Sequence, residues 1–418
     1  MMIPDLREIY QAYMYSYPHK TEYGPLENIN VFDYLLSCDA GTIDFYFHIP
    51  FCASKCGYCN LFSIIDRDGE LFDKYLAAME KQISQYGIGE TAPQSFTVGG
   101  GTPLILSGKQ LERLFNMLPS MNKALSCIET SPNETAEDKL KILKMYDTNR
   151  ISIGIQSFVD SELKNLGRGH SAFSVRKALA LLKKCAFQVL NIDLIYGIPG
   201  QTNSSFITSV KEALQFSPDE LFLYPLYIRK GTDCYHKFGS DFINPDMYRM
   251  YLSGRDLVVD SGYTQISMRR FALKPPHNPP SCGFNTVLSI GCGGRSYVGN
   301  LHFCHPFTMD NGERCKTINA YIHDADKTRV VNGYILNSDE QKCRFIIKNL
   351  LHVYGLSLAD YRNSFQSNVY DDFPVFNELS EKGYIRAAEE KIQLTELGLS
   401  LSDYIGPLLS RSAKMRNR

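Results

Sequence analysis

Between residues 43 and 226 the chain alternates two hydrophobic patterns. Short runs rich in β-branched and aromatic residues predict six strands: IDFYFHI (43–49), SFTV (95–98), SCIET (125–129), RISIGI (150–155), VLNIDLI (189–195) and ELFLYPL (220–226). Between them, apolar residues recur at helical spacing over 71–86, 108–118, about 135–146, 174–185 and 204–216. Ser107 with Gln110 has the form of a capping box, and Thr135 with Asp138 marks another helix start. Such alternation calls for parallel strands joined by right-handed crossovers. The expected fold class is α/β, an open or partial barrel of six strand–helix units. In such folds chemistry gathers at the C-terminal ends of the strands.

After about residue 230 the alternation stops. Residues 244–261 predict a helix. The segment 264–306 reads as irregular, with Pro275, Pro276, Pro279 and Pro280 close together. Further on, 340–354 predicts an amphipathic helix, 357–364 and 373–382 short helices, 385–394 a hairpin and 396–409 a final helix. That order suggests a small α+β, winged-helix-like module. The expected division is an N-terminal helical extension (1–40), a core (41–235), a substrate-pocket and linking region (236–335) and the C-terminal module (336–418).

Composition narrows the function. The chain has 418 residues, 44% of them hydrophobic, enough for a large core in two or three domains. Charged residues are 21% and the net charge is -1, so no basic excess points to nucleic acid. No apolar run reaches the roughly 18 residues of a membrane span. The first twenty residues lack the continuous apolar stretch of a signal peptide, so a cytoplasmic location is expected. There are twelve cysteines. In a reducing cytosol they are thiols or metal ligands rather than disulfides. Cys38, Cys127, Cys185, Cys234 and Cys343 stand isolated and read as ordinary core or surface thiols.

One group is tightly clustered. HIPFCASKCGYCNLFS sets Cys52, Cys56 and Cys59 at spacings of four and three, just after a strand. A four-iron cluster takes thiolate ligands, normally four. Three leave one iron open, as a catalytic zinc site keeps an open position. The amine and carboxylate of a methionine-type ligand can chelate that iron, which is where S-adenosylmethionine (SAM) would bind. Zinc held by the three cysteines and His48 is an alternative, but no second ligand pair has zinc-site spacing. Tyr58, inside the loop, is a packing aromatic or a platform beside the SAM adenine.

Other polar and glycine-rich residues follow strands. Gly99-Gly100-Gly101-Thr102-Pro103 allows backbone N–H groups close approach to a ligand. Glu129 ends a strand and could hold a ribose or an ammonium group. Gln156 ends RISIGIQ, Asp193 sits in NIDLIYGIPGQT and Arg168 in LGRGH. Each alone is an ordinary structural polar group, but their shared place at strand ends points to one site. No GxxxxGK[ST] phosphate loop occurs, which argues against an NTPase.

FYFHIPFCASKCGYC, VGGGTP, IETSPNE, RISIGIQSF, LGRGH and NIDLIYGIPGQT together resemble the oxygen-independent coproporphyrinogen III oxidase-like branch of the radical SAM superfamily. The resemblance is dense over residues 43–230 and looser over 340–410. It implies a partial (β/α)6 barrel, a [4Fe–4S] cluster on Cys52, Cys56 and Cys59, and one or two SAM molecules. It matches Tyr46, Gly100 and Glu129 to contacts of the SAM on the cluster. Tyr58, Gly101, Thr102, Gln156, Arg168 and Asp193 match contacts of a second SAM. Arg295, in IGCGGRSYVG, falls near a late SAM-contacting turn.

The implied activity is reductive cleavage of SAM to a 5′-deoxyadenosyl radical that oxidises an organic, porphyrin-related substrate. The electron would come from a flavodoxin or ferredoxin. The same core serves two-SAM methyltransferases, cyclopropanases and heme chaperones without net catalysis, so the substrate stays open. Asn60 and Leu61 stand where coproporphyrinogen oxidases commonly carry a further cysteine. The 264–306 segment lacks the combined His-Asn and Tyr-Trp signature of the chaperones: His277-Asn278 is present, but no Tyr-Trp follows it. Cys282, Cys292, Cys304, His277, His302 and His305 in that segment read as part of a pocket lid, with a second metal or a heme as the other reading.

Overall fold

A computed structural model describes residues 3–11, 16–36, 43–66, 68–88, 93–117, 125–275, 286–388 and 390–415. The six expected strands form. They are β1 (Ile43–Ile49), β2 (Ser95–Gly100), β3 (Leu125–Thr130), β4 (Arg150–Gln156), β5 (Val189–Tyr196) and β6 (Glu220–Pro225). They lie side by side in chain order, every neighbouring pair parallel. Helices Phe72–Tyr86, Gly108–Phe115, Glu137–Met145, Ala172–Cys185 and Asn203–Gln215 make the crossovers. A short extra helix, Asp160–Asn165, precedes the fourth of them.

Alternation along the strands separates two faces. Ile128, Ile151, Ile153, Ile192 and Leu194 are buried. Burying each stabilises the sheet by about 1.5–3 kcal/mol. The intervening positions, Cys127, Glu129, Arg150, Ser152, Asn191 and Asp193, are polar. Register sets Glu129 beside Ser152, Ser152 beside Asn191 and Gly154 beside Asp193. The face opposite the apolar one is therefore a continuous polar surface.

The Ser107 capping box is present. Thr135 does not cap its helix: the N-cap is Ala136, without a side-chain bond. The Thr135 hydroxyl instead donates to the Ser131 carbonyl at 2.9 Å and lies 3.2 Å from the Thr130 hydroxyl. A local backbone partner wins over the helix end, as short hydroxyl side chains permit.

The 264–306 segment is less irregular than its pattern suggests. Thr286–Ile290 pairs parallel with β1, and Ser296–Val298, Leu301–Phe303 and Arg329–Ile335 continue antiparallel from it. Gly24–Asn30 closes that edge, so the N-terminal segment holds a strand besides its short helices. On the other side Arg270–Ala272 pairs antiparallel with β6, and Thr264–Gln265 follows it. The result is a sheet of 13 strands. Most of the added strands within 264–306 have only two or three residues, too few for a period-2 signal; pairing with a preformed edge makes them strands. Pro276, Pro279 and Pro280 lie outside the described residues.

The C-terminal module has helices Ser338–Leu350, Leu358–Phe365 and Val375–Glu381, then hairpin Ile385–Ala388 and Lys391–Leu394. Leu356–Ser357 adds a third strand to that hairpin. The last helix is split, Glu396–Ser400 then Ser402–Met415. One buried apolar cluster runs from Ile9 through the core to Leu409. Among the described residues no helix is long and apolar enough to cross a membrane.

Candidate cofactor site

The cysteine loop leaves β1 at Pro50 and is pinned on both sides. Gly101 N–H donates to the Ile49 carbonyl and Thr102 N–H to the Phe51 carbonyl, each at 2.8 Å. A Cβ on Gly101 would overlap the Phe51 carbonyl and come within 2.9 Å of Cys52 Sγ. Gly100 has φ +114°, with the Ile49 carbonyl and His48 ring where a Cβ would go. Both positions therefore require glycine. On the far side, Gly57 N–H donates to the Leu166 carbonyl at 2.8 Å, and Gly57 accepts from Cys234 N–H at 2.7 Å. Within the loop, Cys59 N–H turns back to the Cys56 carbonyl at 3.1 Å.

These constraints leave a cavity of about 270 Å³ over the polar face of the sheet. Its lining includes Cys52, Cys56, Cys59, Tyr58, Gly100, Gly101, Thr102, Glu129, Gln156, Arg168 and Asp193. These are residues that sequence singled out from separate strand ends. Asp193 lies within β5 rather than after it.

Tyr46 is beside the lining rather than in it. A Cβ on Gly99 would meet Glu129 Oε2 at 2.8 Å and Tyr46 Oη at 2.9 Å, so the two side chains flank that glycine. Arg295 does not line the cavity either. It donates to Ser16 Oγ at 2.6 Å, and its turn reaches the site through Gly294, packed on the Tyr46 ring.

Gln156 takes a left-handed backbone, φ 71°, where the β4–β5 register slips. A non-glycine residue held there is strained, and the irregularity turns the strand end over the cavity. Arg168 donates to Cys56 Sγ at 3.0 Å, to Tyr58 Oη at 3.4 Å and to the Gly154 carbonyl.

Burial pushes the Glu129 carboxyl up to about 7, with the Asp193 charge adding to it. Asp193 is raised to about 6 by burial, against the Asn191 amide that donates to it at 2.8 Å. Burial also raises Cys52 to about 11 and raises Cys59. A ligand that takes thiolates must therefore displace protons there.

Ser131, Asn133, Glu134, Ser152 and His170 also line the cavity. Sequence reading did not single them out. SPNE directly follows β3, and that position after a strand was the available signal. Asn133 has a bracing part, donating to the Gly169 carbonyl at 2.9 Å.

The later Cys and His residues do not converge. Cys292 is buried, and His302 is fully buried with its ring edge-on to Tyr297 at 4.7 Å. Cys304 and His305 line a separate cavity of about 60 Å³. Cys282 and His277 lie outside the described residues, as does Cys38. Among the described residues no three His, Cys, Asp or Glu side chains converge tightly enough for a single metal ion. His48, the candidate zinc partner, bonds its Nε2 to the Phe62 carbonyl at 2.8 Å.

A parallel sheet with a cysteine loop and a glycine turn at its C-terminal edge defines the class, and a family model described as the Radical SAM superfamily matches residues 46–213. A heme chaperone HemW of Escherichia coli (strain K12) is 30% identical over 271 residues, covering 61% of this chain and 70% of that protein. An oxygen-independent coproporphyrinogen III oxidase of Pseudomonas aeruginosa is 26% identical over 442 residues, covering 96% and 94%. The solved structure of coproporphyrinogen III oxidase (HemN) from Escherichia coli superposes with a TM-score of 0.81 at 24% identity, covering 97% of this chain and 98% of that one. The chain belongs to the radical SAM superfamily and, within it, to the coproporphyrinogen oxidase-like family.

That family implies a [4Fe–4S] cluster and SAM. The residues present fit both. The donor set is three thiols in one loop, and a cluster takes its ligands one per iron rather than three on a single ion. Without Cβ atoms the Gly100–Gly101 turn packs tightly against the end of β1 and the cysteine loop, which sets its backbone at the cavity beside the thiols, and two carboxyls line the same cavity.

Proposed function

We propose that this chain reductively cleaves SAM at a [4Fe–4S] cluster held by Cys52, Cys56 and Cys59, to oxidise a small organic, porphyrin-related substrate. The observation that carries the reading is the convergence of the three cysteines, the Gly100–Thr102 turn, Glu129, Gln156 and Asp193 on one cavity. When bound, the cluster and SAM supply an electron and a carbon radical able to abstract hydrogen.

The chain's own residues supply the rest. The three thiolates leave one ligand position free. The glycine turn lets backbone approach a methionyl group. Glu129 and Asp193, once ionised, hold hydroxyls or positive charge. Tyr58 covers the adenine side. The polar sheet face beneath the site is closed by Arg150, which donates to Glu220 at 2.8 Å and to Cys127 at 2.9 Å. Tyr46 and Arg295 brace the site from the side, and Gln156 and Arg168 extend it toward a second SAM. Residues 41–235 form the cofactor core, 236–335 the substrate side and linking region, 336–418 a bracing module and 1–40 an extension. A flavodoxin or ferredoxin supplies electrons, in the cytoplasm.

Two further readings share this core. Methyl transfer or cyclopropanation follows if a second SAM binds. Heme chaperoning without net catalysis is favoured by the likeness to a HemW at 30% identity. The test is anaerobic: reconstitute with iron and sulfide, reduce, add SAM, and measure 5′-deoxyadenosine against Cys56→Ala. Product lost in the variant supports the enzyme reading. A fully loaded cluster that gives none, with coproporphyrinogen present or absent, sinks it and moves weight to heme binding.

A further inference from the structure

Arg168 reaches the cysteine loop from a separate turn. Its turn is fixed before the side chain begins. Arg168 N–H donates to the Leu163 carbonyl at 2.9 Å and Gly167 N–H to the Lys164 carbonyl at 3.1 Å. Gly167 has φ +64°, and a Cβ there would stand 2.9 Å from Gly57 N, so the turn lies directly against the loop. Asn133 holds the following carbonyl, that of Gly169, at 2.9 Å.

The guanidinium is fixed as firmly. One nitrogen, Nη1, reaches Cys56 Sγ at 3.0 Å and Tyr58 Oη at 3.4 Å, and Nη2 donates to the Gly154 carbonyl. The third nitrogen, Nε, is buried without a hydrogen-bond partner among the described residues. No carboxylate forms an ion pair with Arg168 among the described residues; its ion-pair partners are absent where those of Arg150 and Arg269 are present. The other two cysteines have neutral donors: Thr102 Oγ1, 3.8 Å from Cys52 Sγ, with the Ser63 side chain, and a backbone bond at Cys59. The one carboxylate felt by this buried cation among the described residues, Asp193, acts on it only beyond ion-pair distance, so Arg168, aimed at one thiol of three, is placed to face a bound thiolate cluster.

We propose that Arg168 tunes the iron–sulfur cluster, its N–H···S bond to Cys56 raising the reduction potential so that one electron enters more easily. The inference rests on the cysteines being cluster ligands. Hydrogen bonds to cluster sulfurs and nearby positive charge stabilise the more negative, reduced state. A charge-assisted bond does so more strongly than a neutral one. The step moves one electron from an external one-electron reductant to the cluster; no bond forms or breaks and no proton moves. Arg168 is a positioning residue here, acting through Cys56.

The test uses the full chain, anaerobically reconstituted, without SAM, as wild type, Arg168→Lys and Arg168→Met. Iron and sulfide content is measured first, then the midpoint potential by redox titration followed by electron paramagnetic resonance. The expected result is full loading of all three proteins. At the wild-type midpoint the reduced-to-oxidised ratio of Arg168→Met should fall about tenfold, a 59 mV downward shift for a one-electron couple. Arg168→Lys should fall between. A loaded Arg168→Met cluster with unchanged potential overturns the proposal, and lost SAM binding in that variant would then make Arg168 a SAM contact only. If Arg168→Met fails to load but Arg168→Lys loads at the wild-type potential, the role is structural and the proposal also fails. A wild type that takes up no cluster removes the underlying reading as well, a different and recognisable failure.

Discussion

Glu129 and Asp193 share a cavity whose burial holds both carboxyls above the ordinary carboxylate range, to about 7 and about 6. The folded chain therefore keeps protons that the unfolded chain gives up at lower pH. As pH rises from the ordinary carboxylate range through about 7, the fold without ligand loses stability, because the unfolded state ionises first. SAM carries a sulfonium and an ammonium, so its binding has the opposite sign and strengthens as these groups ionise. Its affinity is expected to rise about tenfold between pH 5.5 and 8, the effect of about 1.4 kcal/mol. Equilibrium binding across that range checks it, and Glu129→Gln should bind weakly with a flattened profile. A flat wild-type profile would exclude these carboxyls from the cation site.

At the scale of elements, the glycine turn and the cysteine loop were legible because each follows a strand whose period is plain. Thr135 was misread for a local reason: its hydroxyl found a carbonyl of the preceding turn. The short strands of 264–306 were hidden because edge pairing, not their own pattern, makes them strands. One of them, Arg270–Ala272, directly follows a long-range contact that no motif announces. Arg269 forms an ion pair with Asp403 at the start of the last helix, and both are almost fully buried. Tyr227 donates to the same carboxylate. Removing one partner of a buried pair leaves the other charge uncompensated, at about 3–5 kcal/mol. Asp403→Ala should therefore lose about that much in denaturant unfolding. A change under about 1 kcal/mol would mean that the helix docks by its apolar face alone.

Across the whole molecule the C-terminal module shares the core of the rest. Apolar burial continues from Ile9 to Leu409, and the helix Ser338–Leu350 buries Phe345, Ile346, Ile347 and Leu350. A chain cut after residue 337 would expose that face and leave Arg269 buried without Asp403. It is expected to aggregate or to lose defined structure, read by size-exclusion chromatography and near-ultraviolet circular dichroism. A compact, monodisperse fragment would instead show that the C-terminal module is an independent domain.

Sequence alone determined the six-strand core, its parallel pairing and part of the cavity lining, since these depend on periodicity and on which residues follow each strand. It also determined the cysteine loop, because thiolate spacing is local. Tertiary structure alone decided that Arg168 meets Cys56, a contact spanning 112 positions in the chain. It also decided that Arg295 turns to Ser16 and that the 264–306 segment joins the sheet. Those outcomes rest on contacts between distant segments, where each side chain chooses among partners that only the folded chain brings within reach.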